Sequence, residues 1–328
     1  MSYRRAADYI RQLETLGHVN ASEAFHIAFG VDENFVPPLG IMLTSLLINN
    51  PDCAFHVHVF CNSIRDEDLI KLRKFVNQNA DIRLDLYLID ASVFDGFHLD
   101  KLDRGYTAAT YNRILIAQVL YPAVERLLYL DADTVCVGRL KELDKFSFDG
   151  NILAAVPDRG DWLLEHKPHI GFAPDEVYFN SGVLYIDLKK WNEFGMSDKM
   201  STLLREGVFA MQDQDAINLI ARNLIKPLPV RFNQFLLLKE APRPIPDDTI
   251  IIHFAGQLKP WQPWCKHPQR EIYDAYRNQS LWKNFVYHPR HYQENRLMGR
   301  AMRQRGDWSS ALKFYCRYVF CKFFKRNG

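Results

Sequence analysis

An α/β fold with a largely parallel sheet is what this sequence predicts, and three observations predict it. Apolar runs of strand length recur along the chain, stretches with helical spacing lie between them, and the most apolar run leads directly into Asp131 and Asp133. Strands that alternate with helices at this spacing build βαβ units, whose crossovers leave neighbouring strands parallel.

The first apolar run is Phe25 to Val31 (FHIAFGV), followed by a polar loop with Asp32 and Asn34. Helical spacing then holds from about Pro38 to Asn49, with proline near the start, where its missing N–H costs nothing. Ala54 to Cys61 reads as a strand in which His56 and His58 alternate with Val57 and Val59. Ser63 to Asp66 has the form of a capping box for a helix reaching about Gln78. Ile82 to Ile89 alternates as the third strand. A polar stretch from Asp95 to Gly105 precedes a helix near Ala108 to Leu120 and the strand Arg126 to Leu130. Further strand-like runs follow at Ile152 to Val156, Val177 to Leu188 and Thr249 to Phe254, while Pro157 to Pro174 has no clear period and reads as loop with short helices.

A chain of 328 residues that is 48% hydrophobic and 24% charged can bury a large core, which excludes a mostly disordered protein. The net charge of +2 conceals an asymmetry. Arg290 to Gly328 holds seven Arg and three Lys against Glu294 and Asp307, a net +8, so the preceding body carries −6. On a helical wheel Leu312, Tyr315, Cys316, Val319, Phe320 and Phe323 share one arc, with Lys313, Arg317, Lys322 and Lys325 outside it. That pattern is a basic amphipathic helix suited to an anionic surface; packing of the same helix on the protein body is the competing reading. The opening MSYRRAADYIRQLE lacks the apolar centre of a signal peptide, and no run is long enough to span a bilayer. The six cysteines form no CxxC pair and no disulfide framework, which fits a reducing compartment and a cytoplasmic chain.

Asp131 and Asp133 are the sharpest chemical signal. Two carboxylates leaving one strand end toward one point suit a divalent cation such as Mn²⁺ or Mg²⁺ with positions open to phosphate oxygens; an acidic turn is the alternative. Open α/β sheets bind ligands at the carboxyl ends of their strands, where Asp32 and Asn34 also fall. His253 ends another apolar strand and could complete an oxygen-rich site with nitrogen, which favours Mn²⁺. Gly256 permits close backbone approach to a diphosphate and Lys259 could pair with it. Asp213 and Asp215 open a probable helix, where capping alone would account for them. No GxGxxG follows the first strand and no P-loop is present, which argues against dinucleotide oxidoreductases and P-loop kinases.

Five segments, IAFGVDENF, LLYLDADTV, YFNSGVLYIDLKKW, QDQDAIN and IIHFAGQLKPW, occur in one order over about residues 25 to 265. In them the chain resembles glycosyltransferase family 8, most closely its lipopolysaccharide core galactosyl- and glucosyltransferases. The resemblance implies a GT-A fold, a Rossmann-like mixed sheet flanked by helices, and a three-part chain. Residues 1–24 would be a helical extension, 25–265 the catalytic domain, and 266–328 a helical basic-aromatic region on the membrane. It implies Asp131, Asp133 and His253 as Mn²⁺ ligands, and Gly30, Asp32, Asn34 and Phe35 as a uridine-binding loop. Phe35 stands where the family commonly has Tyr, so stacking survives without the phenolic hydrogen bond. Arg113 and Asn180 would bind the donor, Asp213 and Gln214 would serve the reacting sugar, and Gly256 and Lys259 would hold the diphosphate. The implied activity is retaining transfer of galactose or glucose from a UDP-sugar to a lipid-linked core oligosaccharide. It would take place on the cytoplasmic face of a bacterial inner membrane, with no nucleic acid involved. Competing readings are a family enzyme with another acceptor, a metal-dependent nucleotide-sugar phosphohydrolase, and a non-catalytic UDP-binding protein at the membrane surface.

Overall fold

In the computed structural model, which describes residues 6–20, 24–98 and 108–324, the chain divides into two compact units. The first comprises residues 1–235 and 245–253, the second 236–244 and 254–328.

The first unit is built on an eight-stranded sheet. Its strands are β1 (Ile10–Leu16), β2 (Phe25–Val31), β3 (Phe55–Cys61), β4 (Ile82–Ile89), β5 (Arg126–Leu130), β7 (Leu153–Pro157), β8 (Phe179–Asp187) and β9 (Ile225–Pro227). The spatial order is β1-β4-β3-β2-β5-β8-β7-β9. β4, β3, β2 and β5 are mutually parallel; β1 at one edge and β8 between β5 and β7 run against their neighbours. The sheet is therefore mixed. Every residue of β3 is buried, so this strand is covered on both faces, which is why the parallel core reads as apolar runs. Helices α1 (Val36–Asn49), α2 (Asp66–Asn77) and α3 (Asn112–Leu120) follow the early strands. Beyond β7 come α4 (Trp162–His169), α5 (Leu188–Glu193), α6 (Met196–Glu206) and α7 (Asp213–Ile220). One core packs Ala28, Phe60, Leu127, Tyr129 and Leu184 of the sheet with Ile114 and Ile116 of α3, Trp191 of α5 and Met196 and Met200 of α6. A second, small sheet joins β6 (Thr134–Cys136), β10 (Gln234–Phe235) and β11 (Ile251–His253) in the order β10-β11-β6.

Two expectations change. Residues 1–24 do not supply a helical extension among their described part: a 3-10 turn at Ala6–Tyr9 leads into strand β1. Ile10, Leu13 and Leu16 have helical spacing, but the open edge of β4 takes up the backbone hydrogen bonds, so tertiary pairing outweighs local pattern. No capping box forms at α2: Arg65 is the cap residue and makes no side-chain cap bond, while Ser63 Oγ reaches Glu33. Asp66, Glu67 and Asp68 meet the positive helix end instead. The compact units divide at Phe254, inside the expected 25–265 span, and 236–244 groups with the C-terminal residues. Residues 99–105 of the polar stretch and Lys325 lie outside the described residues.

In the second unit Phe254, Trp261 and Tyr273 pack ring against ring, with Trp282 fully buried. Its helices are α8 (Arg270–Gln279), α9 (Tyr292–Gln304) and α10 (Trp308–Phe324). α10 lies along α9 through Tyr318, stacked on Tyr292, and Tyr315, whose ring fills the space beside Gly299. Tyr315 thus leaves the expected apolar arc for the helix pair. Trp308, Leu312, Val319, Phe320 and Phe323 stay exposed, Phe323 to 63%. In the first unit, Leu128 is fully buried in β5, flanked by β2 and β8. Leu128→Ala is expected to cost about 2–5 kcal/mol in urea unfolding.

Candidate active site

The carboxyl ends of β2, β5 and β7 share one edge of the main sheet, and a polar turn follows each. Parallel register sets Ala28 beside Tyr129, which carries Gly30 to the level of Asp131. Asp131 and Asp133 sit in the turn between β5 and β6, and Thr134 of β6 pairs with His253 of β11. That pairing crosses more than a hundred residues of sequence and carries the imidazole to the aspartates. One donor atom from each of Asp131, Asp133 and His253 lies within 4.8 Å of the others, with His253 Nε2 3.3 Å from Asp133 Oδ1.

The hydrogen-bond network determines which face His253 offers. The backbone N–H of Gly182 donates to Asn180 Oδ1, so the Asn180 Nδ2 group must point the other way. Asn233 Nδ2 donates to the same Asn180 oxygen, which turns Asn233 Oδ1 toward His253 Nδ1 at 3.0 Å. His253 Nδ1 is therefore the protonated nitrogen, and the Nε2 lone pair faces the aspartates. This is how an imidazole is held for a cation. Space is kept as well: a Cβ at Gly182 would stand 2.3 Å from His253 Cε1 and 3.0 Å from Asp131 Oδ2. Two carboxylates, one oriented imidazole and a cleared cradle fit a divalent cation.

Arg113 of α3 organises the next layer. It is buried, with Nη2 3.1 Å from Asp131 Oδ1, Nε 2.9 Å from Asp213 Oδ2 and Nη1 2.6 Å from the Ser181 carbonyl. Burial works against its charge, but Asp213, Tyr129 and Asp131 raise its pKa and keep it protonated. Burial pushes the Asp213 carboxyl up to about 7 against the pull of Arg113, and Asp131 adds to the rise. Gln214 is held at both ends: Oε1 accepts from Ser181 N at 3.0 Å and Asn180 Nδ2 at 3.2 Å, and Nε2 donates to Asp158 at 3.0 Å.

Sequence reading missed Asp158, Gln212, Asn233 and Gly182. Asp158 follows the apolar run of β7 as Asp32 and Asp131 follow β2 and β5, and that shared position is the signal that could have found it. Burial raises its carboxyl pKa against the bonds from Asn180 and Gln214. Gln212 is buried at φ +49° and ψ −117°, a strained conformation for a side-chain-bearing residue, and neither end of its amide has a partner among the described residues. Asp215, which capping alone could have explained, is fully buried and accepts from Tyr178 OH at 2.5 Å, His166 at 2.6 Å and Met211 N at 2.9 Å. It anchors the α7 start that carries Asp213 and Gln214.

The structure brings Asp131, Asp133, His253, Arg113, Asp213, Gln214 and Asn180 into one network. Asp32 closes a turn by accepting from Asn34 N at 2.8 Å, Asn34 Oδ1 takes Arg65 Nη2 at 2.6 Å, and Phe35 precedes α1. Gly30 lets β2 approach the start of α3, since a Cβ would meet Asn112 at 2.7 Å. Gly256 and Lys259 belong to the second unit, where Gly256 takes φ +81° and Lys259 Nζ donates to the Phe254 carbonyl at 2.9 Å.

A folded carboxyl pKa raised above its unfolded value contributes stability that is full below about pH 4 and is lost as pH rises through the folded value. For Asp213 that window closes near 7. The melting temperature of the wild-type chain relative to Asp213→Asn should therefore fall between about pH 4 and pH 8 in thermal unfolding. A constant offset would contradict this account of Asp213.

Glycosyl transferase family 8 matches residues 26–265. The lipopolysaccharide 1,2-glucosyltransferase of Escherichia coli (strain K12) is 30% identical over 283 residues, 82% of this chain and 82% of that protein. The lipopolysaccharide 1,3-galactosyltransferase of Salmonella typhimurium is 28% identical over 326 residues, 95% of this chain and 96% of that protein. A crystal structure of an active-site mutant of LgtC superposes with a TM-score of 0.64 at 25% identity, covering 82% of this chain and 99% of that one. With a mixed sheet flanked by helices and a family match over most of its length, this chain has the GT-A fold and belongs to glycosyltransferase family 8.

Proposed function

We propose that the chain is a retaining transferase that moves galactose or glucose from a UDP-sugar to the core oligosaccharide of lipopolysaccharide, forming an α-linkage. The observation that carries this reading is the convergence of Asp131, Asp133 and an Nε2-facing His253 at the sheet edge. The donor set of two oxygens and one imidazole nitrogen favours Mn²⁺, with Mg²⁺ as the harder alternative. When bound, the cation supplies positive charge to the departing diphosphate, the largest electrostatic demand of the reaction.

The chain's own residues do the rest. Lys259 adds a second positive charge for the diphosphate, and Gly256 leaves room for it. Gly30, Asp32, Asn34 and Phe35 hold the uridine, Phe35 by stacking. Arg113 fixes the Asp213 carboxylate, which with Asn180 holds hydroxyls of the donor sugar. Gln214 is a neutral amide tied at both ends, unsuited to forming a bond at the anomeric carbon. Retention then proceeds by front-face attack through an oxocarbenium-like transition state rather than a covalent intermediate.

The acceptor is lipid-linked, so the enzyme works at a membrane surface on the cytoplasmic face. No helix of the described residues is long and apolar enough to cross a membrane. The exposed aromatic face of α10, with Lys313, Arg317 and Lys322 beside it, supports peripheral attachment. Each basic side chain near an anionic leaflet contributes about 1 kcal/mol.

Incubating the purified chain with Mn²⁺, UDP-galactose or UDP-glucose, and truncated lipopolysaccharide acceptors should add one hexose to the acceptor, read by mass spectrometry. Asp131→Asn should lower this rate by about 10²–10³-fold. UDP release at full rate without acceptor would point to a hydrolase instead. Gly182→Ala, which crowds His253, should weaken Mn²⁺ binding at least about tenfold in calorimetry. Replacing Phe320 and Phe323 by Ser should reduce binding to anionic vesicles at least about tenfold in a flotation assay. Unchanged flotation would remove the attachment role of α10.

A further inference from the structure

At the amino ends of β2 and β3, the sheet edge opposite Asp131, three imidazoles share one face. His26 is paired in register with His56, and His58 lies two residues further along β3. One ring nitrogen from each lies within 4.8 Å of the others, and His26 Nδ1 is 3.0 Å from His58 Nε2. The His56 ring centre is 4.1 Å from that of His58 and 5.0 Å from that of His26. His56 and His58 are buried and His26 is half-buried, which leaves a way in from solvent.

The surroundings prepare these rings. Asp85 of β4 is fixed by Thr15 Oγ1 at 2.8 Å and Arg83 Nη2 at 3.0 Å, and it meets His56 Nε2 at 2.7 Å. Nε2 is thereby the donor of His56, and the Nδ1 lone pair is left buried with no hydrogen-bond partner among the described residues. Leaving a buried acceptor unmet costs stability unless something takes it up.

We propose that His26, His56 and His58 form a Zn²⁺ site separate from the Asp131, Asp133 and His253 donors. Imidazole nitrogens without a carboxylate in the ligand set suit Zn²⁺ and disfavour Mn²⁺ and Mg²⁺. Asp85 behind His56 is the carboxylate–histidine arrangement that orients ligands of zinc. Tetrahedral bonds of about 2.1 Å place nitrogens about 3.4 Å apart, a spacing these rings reach with small side-chain rotations. Three protein ligands leave a fourth position for water. Zn²⁺ there ties β2 to β3 and, through Asp85, to β4.

Asp131→Asn/Asp133→Asn silences the other donor set, and this full-length variant, stripped with chelator and dialysed against Zn²⁺, is the protein to assay by elemental analysis. It should retain one Zn²⁺ per chain that excess Mn²⁺ does not displace. Adding His58→Gln should abolish that ion, and adding Asp85→Asn should weaken it about 10–100-fold. Co²⁺ in place of Zn²⁺ should give the visible absorption of a tetrahedral nitrogen site, lost with the same His58 change. Absence of bound Zn²⁺ in the Asp131/Asp133 variant would overturn the site, as would full retention after His58→Gln in a chain with native circular dichroism. His26→Gln, at the half-buried ligand, gives the same readout if His58→Gln does not fold.

Discussion

The buried guanidinium of Arg113 is the constraint on which the active site depends. It is a charge taken fully out of water, which is costly unless paired, and it is paired on two sides by Asp131 and Asp213. Those carboxylates come from different elements, the β5 end and the α7 start, while the third contact goes to the Ser181 carbonyl on β8. Removing any one would leave charge stranded in the interior, so the relative placement of α3, β5, β8 and α7 is fixed by electrostatics as well as by packing. Arg113 also lies over the Tyr129 ring at 4.5 Å, which extends the same restraint into the core.

A second restraint runs through amides. Gly182 N, Asn180, Asn233 and His253 form a chain in which each hydrogen bond determines the orientation of the next, beginning from a backbone N–H that cannot flip. Gln214 and Asp158 join at Asn180. Gln214 and Asp158 and the residues that orient His253 are thus one network, and a change at Asn180 is felt on both sides. The strained backbone of Gln212 sits where this network meets α7, next to Met211, whose N–H donates to Asp215 one turn on. Strain of this kind costs about 1–3 kcal/mol and persists where the surroundings over-determine the conformation.

Most of the sheet was legible because buried parallel strands are rich in apolar residues, and β2, β3, β4 and β5 are, with polar side chains confined to His26, His56, His58, Arg83, Asp85 and Arg126. Direction was not: β8 has the composition of its neighbours, and nothing in its residues says it runs against them. β1 was hidden because its helical spacing describes side chains, whereas its backbone partners belong to β4. At the site, Asp131 and Asp133 announce themselves by adjacency. His253 is marked by its strand-end position and Asp213 by the resemblance to a family, but neither shows locally that it meets Asp131, since that depends on β6–β11 pairing and on α7 packing. Asp158 is marked only by its place after the apolar run of β7, and Asn233 and Gly182 carry no local signature; their roles are an acceptor for two amides, a tautomer lock and an absence of volume, each defined by a neighbour distant in sequence.

The two donor clusters divide along chemical hardness. Asp131 and Asp133 put oxygen first at the carboxyl edge of the strands, where, in the proposed function, a diphosphate would share the cation's coordination and exchange with each turnover. His26, His56 and His58 put nitrogen at the amino edge, the end of a parallel sheet where side chains serve stability more often than catalysis. The all-nitrogen set discriminates against Mn²⁺ and Mg²⁺, whereas the oxygen-rich set accepts either kind of ion, so exchange at one edge need not disturb a zinc retained at the other. The same strand, β2, bears on both: His26 stands at its start and Gly30 at its end, four residues along an extended backbone whose two ends meet opposite edges of one sheet.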